Sequence, residues 1–276
     1  MKKILLPVDH SPLSDQLICY VADMNRDIPL SEVVLIKPFH IPAMAQIMPN
    51  ADMAMISDDE FESEELLAGR RLNELAGTLR EATGGKVNVK SQLVHEPWKV
   101  AIQWALSTER PHMLVLGHDP AHTSGEDQMS ETAVSLASVS TAPVLLIPAG
   151  ARYFLPSHMI LPTPFENLER LSDFNKLFTN SLWRNVTIDV LQIGEDLEQK
   201  DEAIQALYEY LKGYQFGIHC IPGTDTAKEI LHFADTRNAA LILALPGRHS
   251  FFYHLSHQNV TKKFALLSQR PVLLLK

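Results

Sequence analysis

The sequence predicts an α/β protein built from two doubly wound, mainly parallel open sheets, and three observations carry that reading. Short apolar runs bounded by turn residues alternate with helix-length periodic segments along the whole chain. The order βαβαβαβαβ occurs twice. The second set also repeats residues of the first: LLPVD (5–9) matches ILPTP (160–164), AIQWA (101–105) resembles EILHFA (229–234), MLVLG (113–117) resembles LILAL (241–245), and APVLLIP (142–148) resembles RPVLLLK (270–276). A tandem duplication follows, with one unit at 1–150 and a second at 151–276. The chain of 276 residues is long enough for each unit to bury its own core.

In the first unit, residues 3–8 read as a buried strand, and Ser11 (candidate N-cap) with Pro12 (first helical position) starts a helix to about residue 25. Residues 33–37 form a second strand. An excursion over 38–61 carries Met44, Met48, Met53 and Met55, suited to a lid or an adaptable apolar surface. Residues 62–82 repeat leucines near a 3.6 period and end at Gly84-Gly85, which predicts a helix. Residues 87–94 alternate as a strand, 97–107 form a proline-started helix, and strands at 112–116 and 144–147 flank a polar loop and a helix. The second unit repeats the order: strands at 159–161, 186–193, 215–221, 240–245 and 272–275, and helices at 166–180, 195–212, 224–236 and 256–267. Core packing is the reading for Trp98, Trp104 and Trp183.

Charge excludes one class of partner. Residues 1–150 hold 11 Lys/Arg against 20 Asp/Glu, whereas 151–276 hold 13 of each, so no basic footprint for nucleic acid exists. No apolar run is long enough to span a bilayer. Cys19 and Cys220 fall in different halves and form neither a disulfide framework nor a metal motif, which suits a reducing cytoplasm.

The opening ILLPVDHSPLSD, with its Val-Asp-x-Ser turn, and the PVL strand that closes each unit resemble the universal stress protein family. The resemblance covers nearly the whole chain. It implies an adenine-nucleotide α-hydrolase-like fold with strand order 3-2-1-4-5 in each unit. It also implies pairing of the two units through their last strands, a pseudo-dimer within one chain. A homodimer or a further protein partner is compatible with it.

The family's nucleotide-binding branch carries Gly-x-x-Gly, nine residues, then Gly-Ser or Gly-Thr after the fourth strand. Glycines let backbone N–H groups approach phosphate, and the following helix N-terminus favours negative charge. In the first unit Asp9 and Gly117 match this pattern. Pro120 takes the second glycine and removes a donor, and Ser130-Glu131 stands in place of Gly-Ser. Gly125 offers flexibility at another spacing. In the second unit Pro164 aligns with Asp9, Ala244 with Gly117, Gly247 with the second glycine, and Gln258-Asn259 with Gly-Ser. Arg248, next to Gly247, adds positive charge.

The expectation is therefore a non-catalytic, cytoplasmic stress-response or regulatory protein with degenerate nucleotide motifs and no required cofactor. The alternative is an ATP-binding, weakly hydrolysing switch in which Asp9, Gly117, Gly125 and Ser130 hold ATP or AMP in the first crevice, with Gly247, Arg248 and Asn259 as weaker counterparts. An enzyme of another class on the same scaffold ranks last. His118, Asp119 and His122 form a loop cluster that reads as solvated polar surface, not as a metal site. No nucleophile elbow, Lys-Ser/Thr phosphate loop or His-Glu-x-x-His motif occurs.

Overall fold

The computed structural model describes residues 2–40, 58–119, 140–163, 165, 168–178, 183, 185–194, 201–223, 225–245 and 269–276, together with Ala133, Leu136 and Ala137. The strands are β1 (Lys2–Pro7), β2 (Leu30–Pro38), β3 (Asn88–Val94), β4 (Met113–His118), β5 (Val144–Pro148), β6 (His158–Pro162), β7 (Thr187–Ile193), β8 (Gln215–Ile221), β9 (Leu241–Ala244) and β10 (Val272–Leu274). The helices are α1 (Pro12–Met24), α2 (Asp58–Ala82), α3 (Trp98–Glu109), α4 (Leu171–Leu177), α5 (Asp201–Tyr210) and α6 (Thr226–Thr236).

The two expected sheets are joined edge to edge into one through their last strands. Its order is β3-β2-β1-β4-β5-β10-β9-β6-β7-β8. All described pairings are parallel except β5 with β10, which run antiparallel with Val272 opposite Leu146, Leu273 opposite Leu145 and Leu274 opposite Val144. Both joining strands are buried along their length. Left as separate edges, they would present unpaired backbone groups on an apolar surface, and pairing them removes that cost.

The two sheet faces bury different helices. On one face, α1 and α2 pack through Leu17, Val21, Leu72, Leu75 and Leu79. On the other, α3 packs through Ala101, Ile102 and Ala105, and Ala133, Leu136 and Ala137 join the same cluster. The two halves also share backbone detail. Val8 N–H donates to Ile36 O at 2.9 Å, and Thr163 N–H donates to Leu191 O at 2.9 Å. His112 N–H donates to Lys3 O at 2.8 Å, and Ala240 N–H donates to His158 O at 3.0 Å. The segment after β5 is clamped to α1: Gln16 Nε2 donates to Pro148 O and Ala151 O at 3.0 and 2.9 Å, while Gly150 N–H donates to Gln16 Oε1 at 2.7 Å.

Three element boundaries move. α2 begins at Asp58, a turn before the expected start, where acidic residues suit the positive end of a helix. The helix expected over 166–180 is a 3-10 turn, Leu168–Arg170, followed by the short α4. Phe178 leaves helical geometry (φ −109°, ψ 71°), and its ring meets Trp183 at 3.9 Å between centroids. β4 runs on to His118, so Gly117 lies inside a strand and not in the loop after it. The methionines of the 38–61 excursion and the helix expected at 256–267 lie outside the described residues.

Trp183 is buried as expected, but Trp104 is 46% exposed. Leu106 and Ala105 already fill the sheet-facing side of α3, which leaves Trp104 beside Val100 on the outer face.

Candidate functional crevice at the carboxyl edge of the first half

The β1–α1 turn is built around Asp9. Its Oδ1 accepts from Ser11 N–H at 2.9 Å, Ser11 Oγ at 2.6 Å and Ser14 Oγ at 2.8 Å. Its own N–H donates to Ser14 Oγ at 3.0 Å. This is an aspartate turn of the kind in which the side chain imitates a backbone acceptor. Ser11 stands at the N-cap of α1 as expected, but its hydroxyl points back to Asp9 and makes no helix-cap bond. Only Oδ2 is left for any ligand. His10, inside the turn, takes the left-handed conformation with φ 71°.

Gly117 answers a packing need. A Cβ built there would lie 2.8 Å from both Leu13 Cγ and Leu13 Cδ2 and 3.0 Å from Leu17 Cδ1. The missing side chain lets α1 sit directly on β4. Strand register also corrects its partner in the second half. Leu114 pairs with Val144, as Ile242 pairs with Val272, which places Leu245 at the equivalent position of the second half where Ala244 was expected. His118 follows Gly117 and is 2% exposed, with neither ring nitrogen hydrogen-bonded among the described residues. Burial pushes its pKa down to about 4, against a smaller opposing pull from Asp119.

Asp9 and Gly117 are therefore brought to one crest, each held by the fold. Gly125, Ser130, Gly247, Arg248 and Asn259 lie outside the described residues, as do Pro120, Glu131 and His122. Among the described residues no group of three or more His, Cys, Asp and Glu side chains could hold a metal ion. No described helix is long and apolar enough to cross a membrane.

Beside this crest a cleft of about 610 Å³ opens between the end of β2 and α2, walled by His10, Lys37, Phe39, Leu67, Ala68 and Arg71. Burial pushes the His10 pKa down to about 4, assisted by the positive charges of Lys37 and Arg71. Burial likewise lowers the Lys37 pKa, and Asp9 partly opposes it. Sequence reasoning missed both residues. The available signals were a lone cation closing the apolar run VVLIK and a histidine set inside the Asp-x-Ser turn.

The second half holds a polar cluster of its own. Asp189, 5% exposed on β7, meets His219 Nε2 at 2.8 Å, and His158 Nδ1 and Arg237 Nε lie at 3.8 and 4.0 Å from its other oxygen. Its place in the strand is one that the first half gives to Val34, since Leu5 pairs with Val34 as Ile160 pairs with Asp189.

The universal stress protein family matches residues 1–148. This chain belongs to the universal stress protein family. No curated protein matches it. Among solved structures, a universal stress protein from Archaeoglobus fulgidus DSM 4304 is similar at a TM-score of 0.72 and 15% identity, covering 100% of this chain and 96% of the other. A functionally unknown protein, PA1789 from Pseudomonas aeruginosa PAO1, is similar at a TM-score of 0.60 and 14% identity, covering 100% and 92%. The cytoplasmic domain of a prokaryotic cation chloride cotransporter is similar at 0.54 and 14%, covering 99% and 94%. At these identities the likeness is one of fold, and it extends over both halves of this universal stress protein.

Proposed function

We propose that this chain is a tandem universal stress protein, with units at 1–150 and 151–276, that acts in the cytoplasm as a regulatory module through binding and not through catalysis. The observation that carries the reading is the use of the crest residues. Asp9 and Gly117, the two matches to the family's nucleotide motif, serve the β1–α1 turn and the α1–β4 contact. Pro120 and Glu131 weaken the phosphate loop from the sequence side, one by removing an N–H donor and one by setting a carboxylate where phosphate would lie.

The duplication draws support from the paired backbone bonds of Val8 and Thr163 and from the mirrored strand order around the β5–β10 join. The pseudo-dimer reading follows from the same join, which occupies the edges that separate units would use to pair. Exposed Trp104 and Val100, one turn apart on α3, support work through protein contacts. The test is chemical. Purified protein is denatured and the released small molecules are separated and weighed by mass spectrometry. The expected result is no stoichiometric ATP or AMP; release of either in molar proportion supports the nucleotide switch instead.

A further inference from the structure

The cleft between β2 and α2 lies away from the place where the family's phosphate loop acts. It opens on the α1 and α2 face, whereas Ala133, Leu136 and Ala137, the described residues after that loop, pack on the opposite face. Its volume of about 610 Å³ falls in the range of small-molecule sites.

Three features of its wall call for a ligand. Lys37 is half-buried and has no carboxylate within ion-pair distance among the described residues; its ammonium stands 5.9 Å from the centre of the Trp98 ring. His10 Nε2 is buried without a hydrogen-bond partner among the described residues, on a residue held in the left-handed conformation. A buried polar atom left unpaired costs free energy that a bound acceptor would recover. The third feature is the repeat. At the positions of His10 and Lys37 the second half carries Phe165, buried in the core with φ 68°, and the uncharged Gln192. The backbone is retained there and the ionisable groups are not.

The remaining charges set the class of ligand. Arg71 is engaged by Asp15 at 2.6 and 2.7 Å and by Glu74 at 3.3 Å, and Arg70 is exposed at the rim, which leaves Lys37 as the inner cation. Glu64 and Glu74 line the same cleft and oppose a multiply charged anion. Phe39, which packs against the Phe61 ring at 5.4 Å, supplies an apolar wall with Leu67 and Ala68.

We propose that this cleft binds a small organic monoanion, its carboxylate held by Lys37 and His10 and its apolar body lying against Phe39, Leu67 and Ala68. The probe is 4-fluorobenzoate, followed by fluorine NMR as the full chain is added. The expected result is saturable broadening in the wild type and an affinity lower by about tenfold or more in Lys37→Met, which removes a charge-assisted bond but keeps the stem. Inorganic phosphate and MgATP, added as competitors, leave the bound probe in place. Leu67→Glu, a change at an exposed rim position that leaves folding intact, weakens the probe by about threefold through like-charge repulsion. The proposal is overturned by absence of saturable binding in the wild type, by equal affinity in Lys37→Met and Leu67→Glu, or by displacement of the probe by phosphate or MgATP.

Discussion

The two carboxyl-edge crests of the sheet share a backbone and differ in chemistry. After β1 the chain passes through Val8, Asp9 and His10; after β6 it passes through Thr163, Pro164 and Phe165. His10 and Phe165 take nearly the same left-handed φ, 71° and 68°. In the first half the turn is held by a carboxylate that accepts from Ser11 two residues on. In the second half the acceptor is a hydroxyl one position earlier, and Phe165 N–H donates to Thr163 Oγ1 at 2.9 Å. The side chain on the left-handed residue then decides what the crest becomes. His10 faces an open cleft, and Phe165 is buried in the core. The backbone that the two halves share constrains where the main chain bends more tightly than which groups it displays.

The two halves differ most at Gly117 and Leu245. The first position has room for no side chain and the second is filled by one, so opposite changes are both harmful. Leu245→Ala empties a buried site and is expected to lower stability by about 3 kcal/mol. Gly117→Ala forces a methyl against Leu13 and is expected to cost about 2 kcal/mol. Urea unfolding of the two variants measures both. A neutral Gly117→Ala would mean that the glycine is not there for packing.

Acid separates the halves next, because both histidines with pKa values pushed to about 4 stand at the first crest. The unfolded chain binds a proton near the ordinary 6.5 while folded His118 resists it down to about 4. The stabilisation is therefore complete above 6.5 and is lost as pH falls through that window, by about 2 kcal/mol for His118 at about pH 5. Melting curves across the window should fall with acid, and His118→Leu should flatten that slope. An unchanged slope would mean that His118 does not set the acid response.

The smallest effect is expected at the turn acceptors. Asp9→Ala withdraws an oxygen with three donors and should cost about 1.5 kcal/mol, against about 1 kcal/mol for Thr163→Ala, with one bond among the described residues. Chemical unfolding of the pair tests the ranking. Equal losses would mean that Asp9 does not organise its turn through those donors.

Periodicity and turn chemistry made the alternation of strands and helices legible, and repeated residues placed the closing strands. Their fusion into one sheet was legible only as a consequence of family resemblance, because three residue pairs of β5 and β10 carry the join and no local pattern states which apolar edge meets which. At the crest, a glycine after a strand reads the same whether phosphate or a leucine side chain approaches it. Only the 2.8 Å approach of Leu13 tells them apart. Lys37 was invisible for a similar reason. A lysine ending a strand is ordinarily solvated, and its burial depends on α2, which comes from beyond the methionine-bearing excursion. Asp189 lies between apolar neighbours, and its partners His158, His219 and Arg237 come from three distant segments.

In the proposed function, the first crest keeps the form of a nucleotide site and uses its two matching residues to hold the fold. Thermal melting of the full chain with increasing MgATP tests it most directly, because any ligand that binds the folded state raises its melting temperature with concentration. The melting temperature is expected to stay unchanged up to millimolar nucleotide. A rise that grows with the logarithm of MgATP concentration would contradict it.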